Sequence, residues 1–288
     1  MSHITCLLYL KHFTPVYSGK QWYRINLRVH STGGLRCIDT LSLDKYAGNT
    51  QLKREIAMKI KGIVIVTIAV ITSLLLPIAG CGPMRTQTYD YTDFNRVEVG
   101  YAFRVKITRS DTYSISITAP ENVFSVVQVS KVGDTLKVGL AQPVPIMRAE
   151  AEITMPDLRA LNLSGATKGT VTGFSSSNDV DLDLSGASGL AGDIQAGDAV
   201  VRLSGASKAE LEGSAEDIDI NVSGASSINL SRFQVTNARV ILSGASNGII
   251  NLNGRLDADL SGASKLSYIG EPTMGDISAS GTSTISKK

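Results

Sequence analysis

Aspartate, asparagine and arginine residues recur at nearly regular intervals in the downstream half of the sequence. Paired carboxylates at such spacing can serve as general acid and base in polysaccharide cleavage, and a group such as Asp257, Asp259 and Asp276 could bind Ca²⁺. We favour a solvated surface with its charges spread out, and we expect no catalytic residue, cofactor or metal ligand. Weak binding of an ion or a glycan is the alternative. The candidate surface residues are Asp181, Asp183, Arg202, Asp219, Asn221, Arg239, Asp257, Asp259 and Asp276.

Residues 82–288 lack the side chains on which several kinds of active site depend. They contain no His, Cys or Trp, which excludes Cys/His zinc sites, a cysteine nucleophile and a histidine-based triad from this region. The same residues include 18 basic and 23 acidic side chains, a formal charge of −5. Because no basic patch is present, we do not expect a nucleic-acid partner.

A recurring pentapeptide, LSGAS or a close variant, marks the elements that must position the candidate residues. Its successive copies are separated by 21, 19, 19, 20, 18 and 19 residues, and a nearly constant period of this length is typical of a solenoid. The first serine of each copy is Ser164, Ser185, Ser204, Ser223, Ser243, Ser261 or Ser280.

Apolar and polar residues alternate before each copy, as in DVDLDLSGAS and DIDINVSGAS. This alternation indicates a β-strand with one buried face. The sequence therefore predicts an all-β, single-stranded parallel β-helix with about 19–20 residues per coil, in which equivalent residues stack about 4.8 Å apart. Two inward columns are predicted: Leu163, Leu184, Leu203, Val222, Leu242, Leu260 and Ala279, and Leu161, Leu182, Val201, Ile220, Val240, Ala258 and Ile277.

The pentapeptide itself is interpreted as the corner between two strands of a coil. Glycine tolerates the left-handed backbone that a tight bend needs, and the alanine is small enough to turn inward. The serines can bond the backbone of the turn or the equivalent serine of the next coil. The competing interpretation is that the Ser-Gly-Ala rows form a binding surface.

Residues 88–150 form a less regular β lead-in or cap, and residues 151–283 form the regular coils of one domain that spans 88–288. Short alternating segments such as RVEVG, SISITAP and TLKVGL are expected to begin the solenoid and to cover its end. AQPVPIM, which contains Pro143 and Pro145, is expected to be a connecting loop.

An export signal precedes this domain. Met58-Lys59-Ile60-Lys61 is followed by an apolar run and by Ile78-Ala79-Gly80-Cys81, the order of a secretory signal peptide. The last four residues resemble the lipobox of bacterial lipoproteins, which implies a signal peptide over 58–80, cleavage before Cys81 and lipid attachment to that cysteine. Residues 81–87 would then be the lipidated cysteine and a short linker, and the membrane would be a partner through the lipid.

Two alternatives concern the residues around this signal. The apolar run could instead be an uncleaved membrane anchor, although it is near the lower limit for spanning. Residues 1–57 are interpreted as a mis-called extension upstream of a start at Met58, or as a short cytoplasmic tail. In either case residues 82–288 are expected to be exported, and Gly82 after the cysteine favours the outer membrane.

The LSGAS repeats, the lipobox and the lead-in FNRVEVGYAFRVKITRSDTYSISITAPENVFSVVQVSKVGDTLKVGL together resemble the putative auto-transporter adhesin "head GIN domain" family. The resemblance spans most of residues 94–283, while residues 1–57 have no counterpart in it. It implies a right-handed parallel β-helix in an exported bacterial protein of the cell envelope. It implies little about activity.

Three functions are compatible with these observations. The first is a non-catalytic envelope lipoprotein whose surface binds a protein or a glycan, the second is a structural spacer, and the third is a polysaccharide-active enzyme. We do not expect an enzyme, because sugar sites usually stack rings on aromatic side chains and these are few downstream. Clustering of tyrosines with carboxylates in one groove would favour the enzyme. The downstream tyrosines are Tyr89, Tyr91, Tyr101, Tyr113 and Tyr268.

Overall fold

The computed structural model describes residues 5–9, 26–30, 82–142 and 149–288. The chain divides into two units, Met1–Leu76 and Pro77–Lys288, which are considered separately. In the first unit, β1 (Thr5–Tyr9) and β2 (Asn26–His30) form an antiparallel pair. The predicted signal peptide, Cys81 and the loop with Pro143 and Pro145 lie outside the described residues. Among the described residues, no helix has the length and apolar character needed to cross a membrane.

The second unit is a β-solenoid built from short strands and one 3₁₀ turn, Glu121–Val123. Its strands are β3 (Met84–Tyr89), β4 (Arg96–Val99), β5 (Arg104–Arg109), β6 (Ser114–Pro120), β7 (Val127–Val132), β8 (Thr135–Leu140), β9 (Glu150–Met155), β10 (Ala160–Leu163), β11 (Lys168–Ser175), β12 (Val180–Leu184), β13 (Gly189–Gln195), β14 (Ala199–Leu203), β15 (Lys208–Val222), β16 (Ser227–Leu242), β17 (Asn247–Leu252), β18 (Arg255–Leu260), β19 (Lys265–Ile269), β20 (Thr273–Ala279) and β21 (Thr284–Lys287).

Parallel pairing between coils arranges most of these strands in two stacks. The first stack holds the strands that precede the corners, in the order β8, β4, β10, β12, β14, the end of β15, the end of β16, β18 and β20. The second stack holds the strands that follow the corners, in the order β9, β5, β11, β13, the start of β15, the start of β16, β17, β19 and β21.

The core confirms both predicted inward columns in the coils that have a neighbour on each side. Leu203 pairs in register with Leu184 on one side and Val222 on the other, and all three side chains are buried. The prediction fails only at the last coil, where Ile277 and Ala279 are exposed. No further coil covers them among the described residues, so both side chains contact solvent although they occupy inward positions.

The corner prediction is confirmed for glycine and wrong for alanine. The corner glycines have φ between +71° and +76°, and a Cβ atom on Gly205 would lie 2.5 Å from the carbonyl oxygen of Gly186 in the preceding coil. The alanine that follows is exposed in each regular copy, as at Ala206, whereas the last residue, such as Ser207, is buried. The reason is that the two-residue alternation continues through the corner, so that Ser207 lies on the same side of the chain as Leu203 and Ala206 lies on the other.

A buried hydroxyl at this position needs a hydrogen-bond partner, and the corner provides one. The Ser207 hydroxyl donates to the Ser204 carbonyl oxygen at 2.7 Å, and the Thr167 hydroxyl donates to that of Ser164 at 2.8 Å. Backbone bonds join successive corners as well, since the Ala206 N–H donates to the Gly186 carbonyl oxygen at 2.7 Å. The repeated pentapeptide thus stabilises the turn and also keeps successive coils in register.

The lead-in contributes strands to the solenoid and to one of its ends, and its chain order differs from its spatial order. Strands β4 and β5 lie between the coil of β8 and β9 and the coil of β10 and β11. Outside β8 and β9 the pairing becomes antiparallel, with β7 on β8, β6 on β9 and β3 on β6. Antiparallel strands therefore close this end.

Candidate functional site

The candidate face is the outward side of the first stack, and it carries all nine residues predicted from the sequence. The register places Asp181, Val200, Asp219, Arg239 and Asp257 in one column. The parallel column holds Asp183, Arg202, Asn221, Ile241 and Asp259. Asp276 lies on β20 at the end of the face, and every one of the nine side chains is exposed or half-buried.

Arg202 lies in register between Asp183 and Asn221, as predicted. Its ion pair, however, is diagonal: the Arg202 guanidinium donates to the Asp181 carboxylate in the other column at 2.6 Å. A long arginine side chain reaches such diagonal neighbours easily. Both side chains are about half exposed, so the pair contributes little to stability.

Arg255, a residue that the sequence analysis missed, organises the acidic end of the candidate face. Its guanidinium lies 2.7 Å from the Asp257 carboxylate and 3.4 Å from that of Asp276. The hydrogen bond from Arg255, followed by one from the Asp276 backbone N–H, holds the pKa of Asp257 below its ordinary value. A cationic side chain thus lies beside the two carboxylates that were considered for Ca²⁺.

These contacts matter for both functions that were considered for the aspartates, Ca²⁺ binding and polysaccharide cleavage. No group of three acidic, histidine or cysteine side chains suited to a metal ion occurs in the described part of the chain. A glycosidase also needs a general acid whose pKa is raised, and the shift at Asp257 is in the opposite direction. The pKa of Asp257 is therefore shifted away from the value that a general acid needs.

Polar side chains also line the corner that precedes the first stack, where the sequence analysis assigned no role. Asp179 accepts the backbone N–H of Asp198 at 3.0 Å, and Asp198 accepts that of Asp217 at 3.1 Å. Asn237 continues the row, donating to the Asp217 carboxylate and accepting the Arg255 N–H, each at 2.8 Å. The signal was present in the sequence as an Asp or Asn directly before the first buried residue of successive alternating segments, Val180, Ala199, Ile218 and Ala238.

The outward side of the second stack carries basic and acidic residues together. Its first column includes Arg104, Lys168, Lys208 and Lys265. Some of these charges are paired locally, since Lys208 lies 3.5 Å from Glu210. The second stack therefore shows both signs of charge, with Glu150 in the same column as Arg104 and Glu210 beside Lys208.

The tyrosines do not line a groove on the candidate face. Tyr89, Tyr91 and Tyr113 pack partly buried against the core near the capped end, where the Tyr113 ring lies 4.9 Å from that of Phe94. Burial is the main reason that the pKa values of Tyr89 and Tyr113 are raised. Tyr101 is 41% exposed and takes the left-handed position of a corner glycine with φ 70°.

The surface depressions of the described solenoid are shallow. The best-formed one lies on the remaining side of the coil, away from the candidate face, and is open to solvent. Its lining includes Ser214, Gln234, Thr236, Asn253 and Gly254. A small molecule generally binds in an enclosed, largely apolar pocket, which this open depression does not resemble.

Comparison with known proteins gives one matching family and several solved structures of similar fold. Residues 93–272 match the model of the family described as "Putative auto-transporter adhesin, head GIN domain". No curated protein matches the chain. A "putative adhesin" from Bacteroides fragilis superposes with a TM-score of 0.67 at 20% identity, over 72% of this chain and 97% of that one.

Two solved structures from Parabacteroides are similar as well. A "putative lipid binding protein" from Parabacteroides distasonis gives a TM-score of 0.58 at 18% identity. A "putative adhesin" from Parabacteroides merdae gives 0.55, also at 18% identity. Both alignments cover 73% of this chain and 98% of the other. At these identities the similarity establishes a common fold.

Proposed function

This chain belongs to the family described as "Putative auto-transporter adhesin, head GIN domain", and we propose that it is a non-catalytic envelope protein whose candidate face binds an extended partner. The observation that carries this proposal is the register of the coils, which displays charged side chains in two parallel columns along the solenoid. Family membership supports an exported or cell-surface location.

The charge of the candidate face favours a protein partner over an acidic glycan. Six of its nine residues are aspartates and two are arginines, with Arg255 adding one further positive charge beside Asp257. Complementary charge speeds encounter and excludes partners of like charge. A protein surface with several lysines or arginines, spaced to meet successive coils, fits this face best.

Neutralising unpaired acids on the face tests this proposal. Bacteria displaying the full chain are applied to arrays of immobilised proteins and glycans, and binding is compared with that of Asp183→Asn/Asp219→Asn/Asp259→Asn. The matched control is Lys168→Gln/Lys208→Gln/Lys265→Gln on the second stack. We expect the acidic variant to lose binding and the basic variant to keep it. Equal binding by all three chains, at equal amounts of protein on the cell surface, would show that the candidate face is not the binding site.

Attachment to the membrane is proposed to occur through lipid on Cys81, with the outer membrane as destination. The support is the position of this cysteine directly after the Ile78-Ala79-Gly80 sequence. Several acyl chains on one residue would anchor the protein firmly, whereas a single chain binds only marginally. Cys81→Ser should abolish incorporation of labelled palmitate and leave the protein unprocessed or released. Undiminished labelling of the variant would contradict the anchor.

A structural spacer is the second candidate. It is favoured by the ion pairs already formed on the face, such as Arg202 with Asp181 at 2.6 Å, because paired charges are less available to a partner. The two functions differ in the array experiment. A spacer without a dedicated ligand would bind no array component above the level of cells that lack the protein.

A further inference from the structure

The capped end of the solenoid, formed by β3, β6 and β7, is the end at which the chain enters it. Strand β3 begins at Met84 and is the outermost strand on the second stack, because it pairs with β6 and β6 pairs with β9. Only Gly82 and Pro83 separate Met84 from Cys81, the residue proposed above to carry the lipid. A membrane anchor at Cys81 therefore attaches directly to the capped end.

The two residues after Cys81 lie against the solenoid and leave the anchor little slack. The Pro83 carbonyl oxygen accepts a hydrogen bond from the Glu121 backbone N–H at 3.0 Å, which ties the chain to the 3₁₀ turn between β6 and β7. A Cβ atom on Gly82 would lie 3.2 Å from the Asn122 side-chain oxygen. Because consecutive Cα atoms are about 3.8 Å apart, the attachment point cannot lie far from this turn.

Exposed large apolar side chains are confined to the lead-in and the terminal coil. Those of the lead-in are Met84, Tyr101 and Val132, with exposed fractions of 45%, 41% and 62%. Those of the terminal coil are Met274 and Ile277. The described coils between these two regions carry no such side chain. The sides of the solenoid are thus less suited to contact with lipid than the capped end is.

The charges also favour the capped end over the candidate face. The strands and the turn that form this end contain two basic residues, Arg85 and Lys131, and one acidic residue, Glu121. The Arg85 guanidinium lies 5.6 Å from the centre of the Phe124 ring, so a cation lies next to apolar surface, as is common at a bilayer interface. The candidate face has six aspartates and two arginines, and an anionic bilayer surface repels acidic residues.

We propose that the capped end rests on the membrane and that the coils lead away from it, so that the candidate face extends outward from the bilayer. This inference rests on the anchor proposed at Cys81. Each coil adds about 4.8 Å, so the corner at Ala263 is about 24 Å farther from the membrane than the corner at Ala166. Asp257 and Asp259 are then held far from the bilayer, where a partner on another surface meets them first.

Energy transfer from dyes at matched corners to labelled lipids tests this orientation. In the full chain with Cys6→Ser and Cys37→Ser, a donor dye is attached to Ala166→Cys, Ala206→Cys or Ala263→Cys. These are exposed positions of the same corner in different coils. Each protein is reconstituted into vesicles of phosphatidylethanolamine and phosphatidylglycerol that contain an acceptor-labelled lipid. Transfer should fall in that order, by at least about twofold overall. Equal transfer, or a rise towards Ala263, would overturn the orientation.

Lengthening the tether shows whether it sets the orientation. A Gly/Ser insert of about ten residues between Cys81 and Gly82 spans about 17 Å as a random coil. It should remove most of the difference in transfer between Ala166 and Ala263, because the solenoid can then turn on its anchor. A difference that the insert leaves unchanged would contradict an orientation set by the short tether.

Palmitate labelling of the parent chain separates the anchor from the orientation. Lipid on the Cys81 sulfur also keeps that residue from reacting with the dye. Palmitate-labelled protein with equal transfer at the three corners would overturn the orientation and leave the anchor standing. Protein that incorporates no palmitate would overturn the lipid anchor, and this inference with it.

Discussion

Gly205 shows how a single residue sets the path of a whole coil. Its φ of +76° is a conformation that branched side chains avoid, and the Gly186 carbonyl oxygen occupies the place where a Cβ atom would be. Both constraints recur at the other regular corners because each glycine stacks on the previous one. At Tyr101, where the lead-in lacks this glycine, a larger residue adopts the same conformation with φ 70°.

We expect Gly205→Val to destabilise the folded protein by about 2 kcal/mol or more, since it combines backbone strain with a clash against the neighbouring coil. Urea unfolding followed by circular dichroism measures the difference. Ala206→Val is the control, because Ala206 is exposed and has no left-handed backbone, and its effect should be within about 0.5 kcal/mol. Similar losses in the two variants would show that the corner geometry is misassigned.

Asp257 gives the candidate face a defined response to acid. Its pKa is lowered, first by the hydrogen bond from Arg255, so the folded-state value lies below the unfolded one. The stabilisation is therefore present above the unfolded value, ordinarily 3.8, and is lost as the pH falls through the folded-state value. Titration by NMR should place the Asp257 midpoint below 3.8 and should return it towards 3.8 in Arg255→Gln. An unchanged midpoint would exclude Arg255 as the cause.

At the scale of strands and coils, hydrogen bonds made by polar side chains join neighbouring coils, in addition to the packing of the apolar columns. Asn237 illustrates this at the corner before the first stack, where its amide donates to Asp217 and its oxygen accepts the Arg255 N–H. An aspartate at this position would accept the second bond but could not donate the first. It would also place one carboxylate beside another.

Asn237→Asp should accordingly lower the melting temperature at pH 7, by the equivalent of about 1 kcal/mol or more from the lost hydrogen bond and the added repulsion. The loss should shrink at pH 3, where carboxylates become protonated. Asn221→Asp, an exposed change of the same kind on the candidate face, should have a much smaller effect. Equal melting temperatures for the two variants at pH 7 would contradict the bridging role of Asn237.

The inward columns were predictable because the alternation of apolar residues and the spacing of the repeats are local features of the sequence. The inward position of Ser207 follows the same alternation, continued from Leu203, and it was missed because the small alanine of the corner was expected to turn inward. The Arg255 contacts were also missed, because they join side chains of the same and the next coil and follow from side-chain reach. The spatial order of β4 and β8 could not be predicted, because the lead-in contains no repeated pentapeptide that would indicate which of its strands pair.

For the molecule as a whole, one repeated coil accounts for the core, the faces and the ends. Each coil buries its aliphatic residues only against its neighbours, which is the general behaviour of solenoids. The outward residues then form continuous columns, from which the proposed binding face follows. At one end antiparallel strands cover the outermost coil.

Paired substitutions at adjacent positions of β14 test this account most directly. Leu203 is buried between Leu184 and Val222, whereas Arg202, next to it in sequence, is exposed. Leu203→Asp would bury an unpaired charge and should abolish the β-rich circular dichroism spectrum. Arg202→Ser should change the free energy of unfolding by about 0.5 kcal/mol or less. If Arg202→Ser unfolded far below the parent protein while Leu203→Asp did not, the register would be wrong by one residue and the inward and outward columns would be exchanged.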